Sequence, residues 1–437
     1  MGQEILDYLV RDFSEPIKDP VWKNIALSKP LLRLVELPAF QKLNGIKQLG
    51  PIYLVYPGAT HTRLNHSLGV LHLARRMLQH LLMNGSADPG GDASGMPRIT
   101  LEGVKAFLCA ALLHDLGHYP YAHSLKELEV ASHESLTALR IRESDISTLI
   151  SEGVGTDPAL VAAMVDPHVR FDGSEEVDFF RNLLSGVLDP DKLDYLNRDA
   201  YFCGVPHGTQ DVDFVFAEIR AHSRGLAVTE KGLTAVESIL FSKYLMYKSV
   251  YWHKTVRIAT AMIKKAVLLG LREGVLEPEE LYWLDDQEFY ARTREHRFPP
   301  FGLIPRVAER RLYKQIASVP FREGNRFQES LRDLETRLEL EARVAEEVSR
   351  LTGALVPSHA VIVDIPEPIR FEIDVPVVFQ DARRTASYQE SGSVFSPQIV
   401  RGFAGTLRRI ALIADVDPEL QEALIRIGPA KILERGL

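Results

Sequence analysis

The segment from His114 to His123 contains the residue types best suited to chemistry in this chain. It reads His-Asp-Leu-Gly-His-Tyr-Pro-Tyr-Ala-His, so three histidines and one aspartate directly follow the apolar run from Val104 to Leu113. Imidazole and carboxylate ligands together bind divalent metals, and imidazoles that stay unligated can transfer protons near neutral pH. The segment therefore predicts a metal-dependent chemical site.

Histidines are concentrated around this segment. Eight of the 14 histidines lie between residues 61 and 133, namely His61, His66, His72, His80, His114, His118, His123 and His133. A lone histidine is more often a core or surface residue than a ligand, so agreement with the surrounding sequence is required. Adjacent helical residues point about 100° apart. His114 and Asp115 can therefore share a metal most easily at a helix end, which Gly117 and Pro120 are expected to provide.

Further ligands have to come from other parts of the chain. His66 opens a predicted helix, and Asp191 lies in a stretch, Leu188 to Tyr195, where acidic residues and a lysine share a helix start. N-capping is the alternative role for an aspartate at such a position, and it suits Asp189. His66 and Asp191 are therefore the candidates that complete a site with His114 and Asp115.

The elements that position these residues are predicted to be mainly helical. Apolar residues at helical spacing predict helices over Pro30 to Gln48, Ser67 to Met83, Leu101 to His114 and Thr234 to Leu271. The glycine-rich stretch over residues 84–97 lacks the Gly-Lys-Ser/Thr ending of a phosphate loop, and we interpret it as a surface connection.

The amino-acid composition changes towards the C-terminus. Charge dominates residues 306–351, and residues 331–340 predict a solvated helix. After residue 352, β-branched runs at Ala360 to Ile365 and Val375 to Phe379 precede a predicted helix over Pro418 to Ile427. We therefore predict a mainly α fold, with a helical catalytic core and charged extension over residues 1–351. A small α+β appendage would follow over residues 352–437.

The overall composition indicates which broad class of protein this chain belongs to. The chain has 437 residues, with 46% hydrophobic and 25% charged residues, as in an ordinary globular protein. A net charge of −8 disfavours a nucleic-acid-coating surface. Neither a signal peptide nor an apolar run of the ~20 residues that a membrane span needs is evident. Cys109 and Cys203 are interpreted as buried thiols, and the expected location is the cytoplasm.

Several segments together carry a resemblance to a known family. They are Gln48-Leu49-Gly50, Tyr56 to His61, Arg63 before His66, His114 to His123, and Asp191 to Tyr195. From about Glu36 to about Arg257 the chain resembles the HD-domain phosphohydrolases, in the deoxynucleoside triphosphate (dNTP) triphosphohydrolase branch. The family signature H…HD…D falls on His66, His114, Asp115 and Asp191. The resemblance implies a multi-helix HD-domain core in which these four residues hold one divalent metal: Mn, Fe, Mg, Ni, Co or Zn.

The resemblance also implies a reaction and roles for further residues. Enzymes of this branch release inorganic triphosphate from a dNTP by attack at the α-phosphorus, leaving the deoxynucleoside. His123 is the expected proton donor to the 5′-oxygen, with His118 and His133 at the phosphates. The expected phosphate contacts are Arg63, Lys192, Tyr195 and Lys243, and the expected sugar contacts are Gln48, Leu49, Asp199 and Tyr251. For Lys243 a solvated helix position, and for Tyr251 and Trp252 core packing, are the alternatives.

The chain departs from the family pattern at two places. Several relatives carry a carboxylate three residues after the position of His123, where this chain has Lys126, and a neighbour such as Glu127 is a candidate replacement. Glu36 and Asn44 differ from the residues that form an activating guanine-nucleotide site in the branch. We therefore expect weak or absent GTP activation. The family also implies a homodimer or homotetramer, and no membrane partner is expected.

Three alternatives remain open at this point. The first is an HD phosphohydrolase that acts on nucleoside monophosphates or on modified or signalling nucleotides. The second is an oxygenase, because HD folds also hold di-iron centres, with His118 and His133 as extra ligands. The third is a nucleotide sensor that keeps the metal but has lost turnover.

Overall fold

The computed structural model describes residues 2–84, 97–171, 175–223, 225–369, 371–379, 384–415 and 417–437. These residues are mainly helical, as predicted. The α-helices are α1 (Gly2–Arg11), α2 (Lys29–Val35), α3 (Pro38–Gln41), α4 (Arg63–Asn84), α5 (Leu101–Leu113), α6 (His133–Ile141), α7 (Ser144–Thr148), α8 (Pro158–Val165), α9 (Glu175–Leu184), α10 (Pro190–Cys203), α11 (Val212–Glu218), α12 (Leu233–Met246), α13 (Lys254–Arg272), α14 (Asp286–Glu295), α15 (Leu303–Ala308), α16 (Arg326–Ser330), α17 (Leu334–Thr352), α18 (Pro397–Leu407), α19 (Pro418–Arg426) and α20 (Pro429–Arg435). The predicted connection at residues 84–97 lies almost wholly outside the described residues.

Three small sheets accompany the helices. Their strands are β1 (Phe13–Asp19), β2 (Lys23–Ser28), β3 (Ile219–His222), β4 (Gly225–Thr229), β5 (Lys314–Pro320), β6 (Val361–Asp364), β7 (Pro376–Phe379), β8 (Arg384–Ser387) and β9 (Arg409–Ala414). Strands β1 and β2 form an antiparallel hairpin, and the other sheets have the orders β3-β4-β7-β8 and β5-β9-β6. Among the strand pairings that the structure describes, β4–β7 is parallel and the others are antiparallel.

The central helix of the core is α5. Its residues from Val104 to Leu113 are almost all buried, because the helix is apolar on every face. Helix α4 packs against both α5 and α10, and α5 packs against α8. The C-terminal end of α5, the first turns of α4 and the first turn of α10 therefore meet at one place, which is where the predicted metal ligands lie.

The C-terminal part of the chain is interleaved with the preceding residues. Strand β5, from the predicted core, pairs with β9, which also pairs with β6. Strand β7 pairs with β4 of the helical region. Strands β6 and β7 and helix α19 lie where the sequence predicts strands and a helix. The predicted division at residue 352 stays a prediction. Each of the two larger sheets, β3-β4-β7-β8 and β5-β9-β6, contains strands from both sides of residue 352.

Two of the predicted long helices are broken. The run over Pro30 to Gln48 forms α2, α3 and a short 3-10 turn, because the residue before Pro38 takes an extended conformation. The run over Thr234 to Leu271 divides into α12 and α13, separated by a π-helical turn at Tyr247–Tyr251. This break places Tyr251 and Trp252 at a corner rather than along a straight helix.

The predicted solvated helix is also only partly solvated. Arg337 and Glu341 of α17 are buried, and they pair with Glu127 and Lys265 respectively. Glu341 also accepts a hydrogen bond from the backbone of Val363 in β6. These contacts join α17 to the core. None of the described helices is long and apolar enough to span a membrane.

Candidate functional site

Three of the four predicted metal ligands converge. The ligand atoms of His66, His114 and Asp191 all lie within 4.8 Å of one another. His66 is in the first turn of α4, His114 caps the end of α5, and Asp191 is in the first turn of α10. His66 Nε2 lies 2.9 Å from Asp191 Oδ1. Asp189 is the N-cap of α10, as expected, since its side chain accepts a hydrogen bond from Lys192 N.

The hydrogen bonds around both imidazoles leave their outer nitrogens available to a metal. His66 Nδ1 donates to Asp194 Oδ2 at 2.8 Å, and His114 Nδ1 donates to the carbonyl of Ala111 at 3.0 Å. In the neutral imidazole, the form that binds a metal, each Nε2 atom carries a lone pair, and that of His114 is buried without a hydrogen bond to any described residue. Burial lowers the pKa of His66, but Asp191 and Asp194 raise it to about 10. The position thus favours a positive charge, either a proton on His66 Nε2 beside Asp191 or a divalent metal in its place, so these residues fit a divalent metal.

Asp115 lies at the edge of this group. Its Oδ1 is 3.4 Å from His114 Nε2 and 3.0 Å from His118 Nδ1. Its Oδ2 accepts a hydrogen bond from Arg63 Nη1 at 2.7 Å. Burial would raise the pKa of Asp115, but Arg63 and the neighbouring histidines hold it well below its usual value. A charged carboxylate thus joins the ligand cluster to the next group of histidines.

His118, His123 and His133 form a second cluster, whose nitrogens also lie within 4.8 Å of one another. The Nε2 atoms of His118 and His123 are 3.2 Å apart, so one of them donates to the other. The rings of His118 and His133 are 3.9 Å apart between centroids. Burial lowers the pKa of His118 to about 4 and holds that of His133 well below the usual value. The pKa of His123, whose side chain is exposed to the cavity, is also lowered, by the loss of solvent around it and by the charge of Arg63. His118 and His133 are therefore neutral at pH 7.

Two backbone features bring these histidines together. Tyr121 adopts a left-handed conformation (φ 62°), which folds the chain so that His123 returns towards His118. Gly117 packs against the start of α6, where an added Cβ would lie 2.4 Å from the carbonyl oxygen of His133. The expectation that Gly117 ends α5 is wrong, because the helix ends at Leu113 and Gly117 has no positive φ. Its role is the close approach of two chain segments.

Both clusters open into one cavity of about 500 Å³. The predicted sugar contacts Gln48, Leu49, Asp199 and Tyr251 all line it, as do Arg63, Tyr195 and Trp252. Tyr251 donates a hydrogen bond to Asp199 Oδ2 at 2.6 Å, and His61 Nε2 donates to Asp199 Oδ1 at 2.8 Å. The Oε1 atom of Gln48 is buried without a partner among the described residues. This wall of the cavity therefore offers a fixed carboxylate and an unused amide oxygen.

Two predicted phosphate contacts are not in the cavity lining. Lys192 donates to Asp189 Oδ2 at 2.7 Å, and Lys243 donates to Glu372 Oε2 at 3.2 Å. The same Glu372 oxygen is 3.7 Å from Lys192 Nζ. Lys243 is buried, so the alternative of a solvated helix position for it is wrong, and Lys192 is half-buried. The structure places these lysines beside each other, under a carboxylate from the segment between β6 and β7.

Several residues of the site were not identified from the sequence. His61 holds Asp199, and Asp194 holds His66. Arg257 and Lys264 line the cavity, but Arg257 is paired with Asp364 and Lys264 with Glu127. Glu127 pairs with Lys264 and Arg337, and among the described residues no hydrogen bond joins it to His123. Most of these contacts join residues far apart in sequence, and no local pattern marks them.

The comparisons with known proteins agree with this geometry. Residues 63–178 match the HD domain family, and residues 211–390 match the HD-associated region. The matched HD segment contains His66, His114 and Asp115, and the three histidines of the second cluster. The chain belongs to the HD-domain family.

Several individual proteins are similar to most of this chain. An uncharacterized protein of Methanocaldococcus jannaschii is 30% identical over 76% of this chain and 66% of its own length. The deoxynucleoside triphosphate triphosphohydrolase of Homo sapiens is 28% identical over 72% of this chain and 56% of its own length. A hypothetical protein from Aquifex aeolicus of known structure has a TM-score of 0.68 at 25% identity, covering 94% of this chain and 99% of that one. The chain thus spans between half and two thirds of the length of these curated relatives.

Proposed function

We propose that this protein is a metal-dependent phosphohydrolase that converts dNTPs to deoxynucleoside and inorganic triphosphate. One observation carries the proposal: a single cavity is lined by the ligand cluster, by His123 and His133, and by the Asp199–Tyr251 pair. A metal site, groups for proton transfer and a sugar-sized polar wall are the three parts that this reaction needs. The similarity to a triphosphohydrolase of the same family supports the choice of substrate.

In this proposal His66, His114, Asp115 and Asp191 hold one divalent metal. Bound there, the metal would supply Lewis-acid activation of a phosphate group and of the attacking water. Arg63 holds Asp115 in its charged form and lies in the cavity wall, where its guanidinium also offers donors to a phosphate oxygen. The remaining parts of the reaction fall to side chains of the second cluster.

We assign the second cluster to the phosphates and to the leaving oxygen. A neutral imidazole carries one N–H, and the 3.2 Å contact between His118 Nε2 and His123 Nε2 places one such proton between the two rings. Negative charge from a bound phosphate raises the pKa of nearby imidazoles, so they gain a proton when substrate binds. His123 then protonates the departing 5′-oxygen, with His118 and His133 holding phosphate oxygens.

The sugar wall supplies the specificity. Asp199 already accepts hydrogen bonds from Tyr251 and His61, so its position is fixed and its remaining lone pairs can accept from a 3′-hydroxyl. Gln48 Oε1 is a second acceptor on the same wall. In this proposal Leu49 and the Tyr251 ring, which both line the cavity, form the surface that excludes a ribose 2′-hydroxyl. Trp252, at the corner after the π-helical turn, offers a stacking face to any base.

A second candidate is a phosphohydrolase for shorter phosphate chains, such as a nucleoside monophosphate. The observation in its favour is the position of Lys192 and Lys243, which are paired with carboxylates and lie outside the cavity lining. With these lysines occupied, less positive charge is available to a triphosphate. A dNTP has to displace Glu372 before it can interact with the charges of these lysines. The first candidate therefore requires that displacement.

The deciding experiment is product analysis with purified protein. Each dNTP, rNTP and nucleoside monophosphate is incubated with Mn²⁺ or Mg²⁺, and products are separated by ion-exchange chromatography. Deoxynucleoside plus intact triphosphate is expected from dNTPs, and Asp191→Ala should abolish it. Orthophosphate released from monophosphates would favour the second candidate. Tight dNTP binding without product would favour a sensor, and dioxygen consumption dependent on Fe would favour an oxygenase.

A further inference from the structure

The proposed metal ligand His66 is held by a carboxylate, Asp194, that is itself held by two other side chains, Arg198 and Trp22. Asp194 Oδ2 accepts from His66 Nδ1 and from Arg198 Nε, both at 2.8 Å. Asp194 Oδ1 accepts from Arg198 Nη2 at 2.9 Å and from the indole N–H of Trp22 at 2.5 Å. Four donors therefore occupy the carboxylate, and its orientation is fixed.

The fourth donor comes from the tip of the β1–β2 hairpin, which precedes the segment that matches the HD domain family. Trp22 lies in the turn between the strands. Asp19, the last residue of β1, accepts hydrogen bonds from the backbone N–H groups of Val21 and Trp22 at 2.9 and 2.8 Å. Its other oxygen accepts from Arg198 Nη1 at 2.7 Å. One carboxylate thus fixes the turn and ties it to the same arginine that holds Asp194.

The network is buried and closely packed. Asp19, His66, Asp194 and Arg198 are all buried, so the charges within it are stable only when paired with one another. Burial would raise the pKa of Asp194, but Arg198 and His66 hold it well below its usual value. A Cβ on Gly69 of α4 would lie 1.8 Å from Asp194 Oδ1. Helix α4 therefore approaches the carboxylate at a position where only glycine fits.

We propose that Trp22 and Asp19 are positioning residues for the metal: they fix the Asp194 carboxylate, which holds His66 with its Nε2 lone pair directed at the ligand cluster. This inference rests on the metal site of the proposed function. Residues outside the liganding set that orient a metal-bound histidine through a carboxylate contribute to metal affinity. The hairpin is thus a functional part of the metal site rather than a surface attachment.

Metal affinity measured without turnover tests the proposal. Trp22→Phe removes the indole N–H and keeps an aromatic ring, and Trp283→Phe, at an exposed tryptophan with no hydrogen bond to Asp194, is the matched control. Titration with Mn²⁺ by calorimetry should show about a 10-fold loss of affinity for Trp22→Phe, since such outer residues typically contribute 10–100-fold. Asp194→Asn should lose more, and Trp283→Phe should match the wild type.

The outcomes separate this inference from the proposed function. Wild-type affinity in Trp22→Phe overturns the inference, whatever the enzyme hydrolyses. Weakened affinity in Trp22→Phe supports it, even in a protein that turns over no dNTP. Circular dichroism establishes whether Trp22→Phe is folded. If it is not, Asp19→Asn leaves the indole in place, and an affinity equal to the wild type in that variant overturns the inference.

Discussion

The carboxylate of Glu372 accepts a hydrogen bond from Lys243, with 3.2 Å between Oε2 and Nζ. The same segment of chain contributes Ile365, Glu367, Pro368 and Ile369 to the wall of the cavity. Lys192 and Lys243 together lower the pKa of Glu372 against the effect of its burial, so it is charged at pH 7. The Glu372 carboxylate therefore lies beside the two lysines, Lys192 and Lys243, that are expected to bind phosphate.

We expect Glu372→Gln to lower KM for dNTPs by about fivefold, because a unit charge 4 Å away in a solvated setting is worth ~1 kcal/mol. The substrate no longer has to displace a carboxylate, whereas kcat should change little. Steady-state kinetics with one dNTP check this. Glu347→Gln, which removes a half-buried carboxylate paired with Arg350, is the control. An unchanged or higher KM in Glu372→Gln would show that the lysines do not bind the substrate.

Asp199 provides a prediction about the sugar. We expect wild-type kcat/KM for a 2′,3′-dideoxynucleoside triphosphate to be about 10- to 100-fold below that of the dNTP, since a hydrogen bond to a charged group is worth ~1.5–3 kcal/mol. In Asp199→Asn the two substrates should react at similar rates. Competition between the substrates, followed by mass spectrometry, gives the ratio directly. A ratio that is the same in wild type and variant would remove Asp199 from sugar recognition.

Lys126 provides a prediction about the phosphates. It lines the cavity and forms no hydrogen bond or ion pair with the described residues. Lys126→Ala should raise KM for a dNTP by about fivefold, from the ~1 kcal/mol of one such charge, and Lys126→Arg should not. The effect should shrink in high salt because exposed charges are screened. Equal KM values for the wild type and the alanine variant would contradict a phosphate contact.

Gly117 provides a prediction about stability. Because a Cβ there would lie 2.4 Å from His133 O and Thr137 N, Gly117→Ala forces the turn away from α6. We expect the free energy of unfolding to fall by about 1–3 kcal/mol, as for other overpacked sites. Gly153→Ala is the control, since the nearest atom to its Cβ would be 3.9 Å away. Urea denaturation measures both, and similar values for the two variants would contradict the packing argument.

The sequence predicts the mainly helical fold and the main groups of the site, because those signals are local. His114 and Asp115 follow an apolar helix directly, and β6, β7 and α19 lie in runs with clear composition. The break of the first predicted helix at Pro38 also had a local signal, which the apolar periodicity concealed. By contrast, the short strands β1 and β2 combine few apolar residues with exposed positions, so their alternation is weak.

The contacts that complete the site could not be predicted in this way. Trp22 and Asp194 are 172 residues apart, and Lys243 and Glu372 are 129 residues apart. Such pairs depend on how the hairpin and the segment between β6 and β7 pack on the core, and neither periodicity nor spacing specifies that packing. The four expected metal ligands, His66, His114, Asp115 and Asp191, and the individual roles of the three histidines stay predictions.

The most direct test of the account is dNTP hydrolysis in H₂¹⁸O, with the products analysed by mass spectrometry. Attack at the α-phosphorus with departure of the 5′-oxygen predicts one ¹⁸O atom in the inorganic triphosphate and none in the deoxynucleoside. His123→Ala should slow this reaction strongly without moving the label. Label in the deoxynucleoside, or in released orthophosphate or pyrophosphate, would contradict the proposed function.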